Sequence, residues 1–288
     1  MKYIFIINNF GNNDPSFIYK RIIEVCDNLK LDYTLELNSQ FYTTDMILKK
    51  YQDKQDIIIA VGGDGMINKV ANGIANTDNI LGYIPYGTGN DFHKTVIDTM
   101  EEGITPIDLV KINNQYFINI ACFGIDADIA NDEKIIHNKF IPKSQRYNLS
   151  VIYHFIKYHS RKLEILIDKD TIINDFSTVV LANGRYYGGG YKVGTNSSLT
   201  DGLLDVYLFR NMPKIKMAKS ILGMKNGSHE FIPELQKIAT SKLCIKSETP
   251  FKSNIDGEML ESDEFNIELN PKKLKLYNNQ DLIKRILK

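Results

Sequence analysis

Two glycine-rich stretches hold the residues best suited to chemistry in this 288-residue chain. Gly62-Gly63-Asp64-Gly65 follows the apolar run 57–61. Pro85-Tyr86-Gly87-Thr88-Gly89-Asn90-Asp91-Phe92 follows a second apolar run, 80–84. Glycines at a strand-to-helix turn let main-chain N–H groups approach an anion, and the helix N-terminus adds the favourable end of its dipole. An aspartate in such a turn repels phosphate unless it meets a metal ion or a basic partner. The first stretch also reads as a tight turn with Asp64 as a helix N-cap. The second also reads as a plain Gly- and Asn-rich turn. Neither has the spacing of a P-loop or of a dinucleotide fingerprint. After neighbouring parallel strands, the two would share the carboxyl edge of a sheet, where open α/β folds bind ligands.

Other acids are more ambiguous. Asp256-Gly257 fits a hairpin turn between residues 251–255 and a following strand, and Asp201 fits the start of a type I turn. The five histidines have no metal-ligand spacing and read as surface or packing residues. The three cysteines, Cys26, Cys122 and Cys244, are too few and too scattered for a disulfide framework or a Cys-based zinc site.

The elements that must carry these residues follow from periodicity. Residues 2–7 read as a buried strand. Asp14-Pro15 then opens a helix with Ile18, Ile22, Val25 and Leu29 on one stripe. Residues 33–37 read as a strand, 43–51 as a helix, 57–61 as a buried parallel strand, and 80–84 as another. Met66, Ile67, Val70 and Ile74 make a helical stripe between the last two. Near Ile107 the pattern changes to strand-like runs at 115–123, 163–167, 178–182, 203–209, 242–245 and 265–269, with helical segments at 126–137, 145–159 and 213–223. A last strand at 274–277 fits either part. The expected architecture is an α/β domain with a mostly parallel sheet over residues 1–108, joined by 273–288, and a strand-dominated domain over 109–272.

These motifs, in this order, resemble the diacylglycerol kinase catalytic-domain family, which includes sphingosine kinases and soluble bacterial lipid kinases. Gly62-Gly63-Asp64-Gly65 resembles its GGDGT motif, and Gly87-Thr88-Gly89-Asn90-Asp91-Phe92 its GTxNDF loop. Asn183-Gly184 with Gly188-Gly189-Gly190 is similar to its central glycine motif. Thr200-Asp201-Gly202-Leu203-Leu204-Asp205 is similar to its DGxLD segment, and Asp256-Gly257-Glu258 to its DGE motif. The resemblance implies a three-layer N-terminal α/β domain, a C-terminal β-sandwich and an active site in the cleft between them. It implies Mg²⁺-dependent transfer of the ATP γ-phosphate to a lipid hydroxyl, diacylglycerol being the common acceptor. Gly62, Gly63, Gly65, Gly87, Thr88 and Asn90 would hold ATP, with Glu258 on the nucleotide or metal. Asp64 would lie near metal and phosphates, and Asp256 would be the general base. Asp91, Lys94 and Asp108 would form a charge network, and Asp201 with the backbone of Leu203 a structural Mg²⁺ site. The aromatic stretch 147–158 and the region of Phe140 are candidates for a lipid-facing surface.

Three positions depart from the family pattern. Met66 replaces the threonine of GGDGT, Lys94 replaces an arginine, and Asn8-Asn9-Phe10-Gly11-Asn12 matches the N-terminal NPxSG turn only loosely. Two alternatives therefore stay open: an NAD kinase-like enzyme, and a lipid- or nucleotide-binding regulator without turnover. Lys+Arg and Asp+Glu number 35 each, so charge gives no pull toward nucleic acid, and no apolar run is long enough to span a bilayer. The expected setting is cytoplasmic, with peripheral membrane contact; homodimerisation is not legible.

Overall fold

The computed structural model describes residues 1–9, 15–124 and 160–288. The turn at 10–12, the helices expected at 126–137 and 145–159, and the aromatic stretch 147–158 with Phe140 lie outside the described residues. The chain divides into two compact units. One comprises Met1–Leu109, Leu199–Gly202 and Asn270–Lys288; the other comprises Val110–Ser198 and Leu203–Leu269. Leu199–Gly202 is an excursion back to the first unit that composition does not signal.

The first unit is built on a parallel sheet. Its strands are β1 (Tyr3–Asn8), β2 (Tyr33–Asn38), β3 (Ile57–Gly62) and β4 (Ile80–Pro85), completed by the end of the long β15 (Glu258–Asn278), in the order β15-β4-β3-β1-β2. All four pairings are parallel, with Ile4 opposite Thr34 and Ile58, Val61 opposite Ile84, and Leu276 opposite Leu81. The last strand expected at 274–277, which fitted either part, is the end of one continuous strand and pairs there with β4. Every residue of β3 and β4 is buried, as helices on both faces of a sheet require.

Six α-helices occur among the described residues: α1 (Ser16–Asn28), α2 (Thr44–Leu48), α3 (Asp64–Ile74), α4 (Asp91–Thr99), α5 (Lys214–Gly223) and α6 (Gln280–Leu287). Ile18, Ile22, Val25 and Cys26 bury one face of α1, which packs on α6; α3 packs on β3, β4 and α2. The α2 and α6 N-termini are capped by Thr43 Oγ1, accepting from Met46 N, and by Asn279 Oδ1, accepting from Leu282 N at 2.8 Å. The helix expected over 43–51 ends at Leu48.

The second unit is antiparallel, consistent with a sandwich-like architecture. β7 (Ile120–Gly124), β9 (Asp170–Ala182), β12 (Leu204–Arg210) and β13 (Leu235–Thr240) are joined by β14 (Lys242–Ile255) and the first half of β15. β8 (Arg161–Ile167) pairs with the early halves of β9 and β14, whereas their late halves pair with β7. Successive side chains of a strand alternate faces, and here each face has its own core. Phe123, Val179, Leu181, Val206 and Leu208 enter one cluster with Phe251 and Phe265. Cys122, Val180, Ala182, Tyr207 and Phe209 enter another, with Met217 and Met224 from α5 and its C-cap. That double burial leaves every residue of β9 from Phe176 to Ala182 buried, as a one-sided strand would not be. Cys26, Cys122 and Cys244 form no disulfide among the described residues.

The strand expected at 115–123 is interrupted. β6 (Gln115–Phe117) and β7 are separated by Ile118 and Asn119, whose N–H groups leave the ladder for the carboxylate of Asp256, described below.

His229 lies fully buried in the 3-10 helix Ser228–Phe231, near the rings of Tyr207 and Phe209, with Nε2 3.1 Å from Val193 O. Burial pushes its imidazole below the ordinary 6.5. The unfolded chain therefore takes up a proton below pH 6.5 that the folded one refuses, so stability falls as pH drops through that window. Denaturant titrations from pH 7 to 5 should show a loss of up to about 1.4 kcal/mol per pH unit, flattened in His229→Gln.

Candidate functional site

Adjacent strands that end in register oblige the loops after them to meet. Gly62 is opposite Pro85 across β3 and β4, and Tyr86 N donates back to Gly62 O at 2.9 Å. The first loop turns through Gly63 into α3, and the second through Gly87, Thr88 and Gly89 into α4. Backbone meets backbone where they pass: a Cβ on Gly87 would lie 2.5 Å from Gly63 Cα and 2.9 Å from Gly63 N. Only glycine fits there. Two helix N-termini thus open at one edge of the parallel sheet, beside chain free of side chains, which is a geometry suited to an anion such as a phosphate.

Asn90 shapes the second loop. Its backbone is left-handed, with φ 51°, and its side chain closes the turn: Oδ1 accepts from Gly87 N at 3.1 Å, and Nδ2 donates to Gly87 O and Pro85 O. Asp64 ties the loops together. It does cap a helix, but not its own, whose N-cap is Gly63. Asp64 Oδ1 accepts from Phe92 N at 2.9 Å and Oδ2 from Asp91 N at 3.1 Å, at the start of α4. Burial holds the Asp64 carboxyl above its ordinary value; the two N–H groups and Lys94 pull the other way, while the neighbouring Asp91 adds to the rise. Lys94 Nζ is 2.9 Å from Asp91 Oδ1 and 2.8 Å from Gly89 O. Gly62, Gly63, Asp64, Gly65, Gly87, Asn90, Asp91 and Lys94 are therefore brought together, with Thr88 exposed at the loop tip. Asp64 and Asp91 supply hard oxygen donors, the first of them desolvated, of the kind a magnesium ion would take.

Met66 is buried at the start of α3, and its thioether accepts from Thr44 Oγ1 and Asn38 Nδ2 at 3.8 and 4.0 Å. Its side chain fills the space between α3, β2 and α2.

Asp108 is fully buried and serves as a clasp. Its carboxylate accepts from Gly202 N at 2.8 Å and Lys272 N at 2.7 Å, while its own N–H donates to Leu199 O. Three remote stretches of the first unit are thereby joined at one side chain. Asp201 is exposed beside this clasp, and Gly202, with φ 74°, excludes a type I turn starting at Asp201. Leu203 is exposed too. Among the described residues no group of three or more His, Cys, Asp or Glu side chains could hold a metal ion.

In the second unit Asp256-Gly257 forms a two-residue hairpin turn between β14 and β15, with φ of 48° and 93° and Ile255 opposite Glu258. Two positive φ angles are the mark of a type I′ turn. Asp256 is buried, and its carboxylate accepts from three consecutive N–H groups: Ile118 at 2.7 Å, Asn119 at 3.2 Å and Ile120 at 2.8 Å. Asn183 holds the same segment from its carbonyl side, donating its N to Asn119 O and its Nδ2 to Ile118 O. Sequence reasoning missed this segment, because main-chain donors leave no trace in residue type. Glu258 is exposed at the start of β15.

Residues 2–116 match the family model described as the diacylglycerol kinase catalytic domain. Residues 119–278 match the YegS C-terminal NAD kinase beta sandwich-like domain. A diacylglycerol kinase of Bacillus subtilis (strain 168) is 28% identical over 223 residues, covering 70% of this chain and 71% of that protein. A crystal structure from Bacillus anthracis str. Sterne, provisionally described as a diacylglycerol kinase, has a TM-score of 0.80 at 22% identity, covering 98% of this chain and 96% of that one. Yeast NADH kinase complexed with NADH has a TM-score of 0.52 at 12% identity, covering 100% of this chain and 86% of that one. Both structures share the fold with this chain.

Gly87→Ala should push the two loops apart and weaken binding of a non-hydrolysable ATP analogue by tenfold or more, about 1.4 kcal/mol, in calorimetric titration. Met66→Thr should lower unfolding free energy by about 2 kcal/mol in urea, since it removes buried methylenes and the acceptor for Thr44 and Asn38.

Proposed function

The chain belongs to the diacylglycerol kinase catalytic-domain family, and from that membership we propose that it transfers the γ-phosphoryl group of ATP to the hydroxyl of a lipid alcohol such as diacylglycerol. The observation that carries the reading is the contact of Gly63 with Gly87 at the carboxyl edge of β3 and β4, bridged by Asp64. Few residues other than paired glycines let two helix N-termini face one polyphosphate so closely. In the transfer, the bond from the γ-phosphorus to its bridging oxygen breaks, the lipid oxygen bonds to phosphorus, ADP leaves and the hydroxyl proton passes to a base. The loops at 62–65 and 87–90 would orient the phosphates, and Lys94 would hold Asp91 in place. Asp64 and Asp91 would hold magnesium, which when bound neutralises phosphate charge. Asp256 would accept the hydroxyl proton. Phosphoryl transfer asks for positioning and charge stabilisation more than covalent help, and a carboxylate fixed by three N–H groups is well positioned. Glu258 would contact the nucleotide, and Asp201 with the backbone of Leu203 would hold a structural magnesium beside the Asp108 clasp.

A second reading, phosphorylation of NAD⁺, draws on the fold likeness to yeast NADH kinase. The GTxNDF loop and the Asp256-Gly257-Glu258 turn favour the lipid. Labelled ATP offered with magnesium to a lipid panel in mixed micelles, and separately to NAD⁺, decides between them. Label on NAD⁺ alone reverses the choice, and binding without label on either leaves a regulator.

Asp256→Asn should lower lipid phosphorylation by roughly 100-fold or more, with ATP affinity little changed. The amide also confronts main-chain donors, so about 1–3 kcal/mol of stability should go with it, and circular dichroism at the assay temperature checks that the variant stays folded. Equal rates for the folded variant and the wild type would remove Asp256 from the reaction.

A further inference from the structure

We infer that the outward face of α5 and the 3-10 helix Ser228–Phe231 form a docking surface for an anionic lipid bilayer. Met217 and Ser220 of α5, with Met224 at its C-cap, are buried on one side of the helix. Ile215 and Leu222, two turns apart, fall on the opposite side and are 75% and 63% exposed. Phe231, at the end of the 3-10 helix, is 88% exposed. The two helices pack together, with Ser228 Oγ 3.5 Å from Gly223 O. Three large apolar side chains are thus held in water on one short helical pair, whose underside is fixed in a core and cannot turn to hide them.

The charges beside them indicate what covers them. Between Pro213 and Phe231 the sequence holds Lys214, Lys216, Lys219 and Lys225 and one acid, Glu230. Glu230 is engaged by Thr195 and Lys237. Lys216 reaches Glu234, and Lys225 lies over the ring of Tyr191. α5 itself carries no acid. Apolar side chains flanked by lysines, with the nearby acids Glu230 and Glu234 already engaged by Lys237 and Lys216, match the boundary of an anionic membrane: the apolar groups enter the acyl region while lysine stems run along it and their ammonium groups meet phosphate. An acidic protein surface would satisfy the lysines but leave Ile215, Leu222 and Phe231 uncovered.

The inference rests on the lipid-kinase reading for its purpose, but not for its geometry, and one set of measurements separates the two. The full chain is sedimented without ATP on phosphatidylcholine vesicles with and without phosphatidylglycerol. Binding should require phosphatidylglycerol and weaken with salt. It should fall roughly tenfold in Ile215→Ser/Leu222→Ser and by at least as much in Lys214→Glu/Lys219→Glu. All four side chains are exposed, so melting temperatures should not move, and transfer to diacylglycerol in neutral detergent micelles should match wild type. Equal sedimentation of variants and wild type, or equal binding to neutral vesicles, would overturn the inference. So would a concentration-dependent dimer abolished by Ile215→Ser/Leu222→Ser, which would assign the face to a second copy. Loss of all lipid phosphorylation with vesicle binding intact would instead sink the kinase reading and leave the docking surface standing.

Discussion

A carboxylate withdrawn from water must be met by donors, and in this protein the donors are main-chain N–H groups from distant parts of the sequence. Asp64 takes those of Asp91 and Phe92, Asp108 those of Gly202 and Lys272, and Asp256 those of Ile118, Asn119 and Ile120. Each bond closes a chain separation that no local turn could close. Replacement by a neutral side chain would strand buried donors as well as remove a charge, so these acids are constrained by folding before any reaction is considered. A loss of activity at such a position does not by itself identify a catalytic group, and the stability of the variant has to be measured alongside its rate.

The first unit adds a second constraint that depends on the first. Parallel strands in register bring the two glycine loops to the same level, and the missing side chain at Gly87 lets them touch. Touching main chains alone would leave the entry of α4 undetermined. Asp64 determines it by capping that helix from the other loop, so the dipole ends of α3 and α4 are fixed relative to one another. The main-chain bonds at both Asp64 oxygens tie that side chain to the fold.

Legibility in the sequence followed periodicity. The runs at 57–61 and 80–84, the stripes of α1 and α3 and the Asp256-Gly257 turn were readable because one period or one dipeptide dominates each. α4 was not, because its buried Asp91 and Thr95 and exposed Ile97 invert the usual pattern. The length of β15 was hidden by its exposed charges and by Pro271, which interrupt the alternation that a strand reading follows. The break at Ile118 and Asn119 was invisible for a different reason: both fit a strand, and only the demand of Asp256 for donors draws them out of one. The glycine loops were therefore legible as parts, and the bonds that assemble them were not.

That asymmetry bears on how Asp256 could serve a reaction. Convergent N–H donors hold its carboxylate in one place. In a loose phosphoryl-transfer transition state the attacking hydroxyl bonds weakly to phosphorus until late, and its proton becomes acidic only as that bond forms. What is needed earlier is an acceptor that fixes the direction of the hydroxyl without removing its proton. Held by Ile118, Asn119 and Ile120 beneath a type I′ turn, Asp256 would offer such a reaction an acceptor of fixed position.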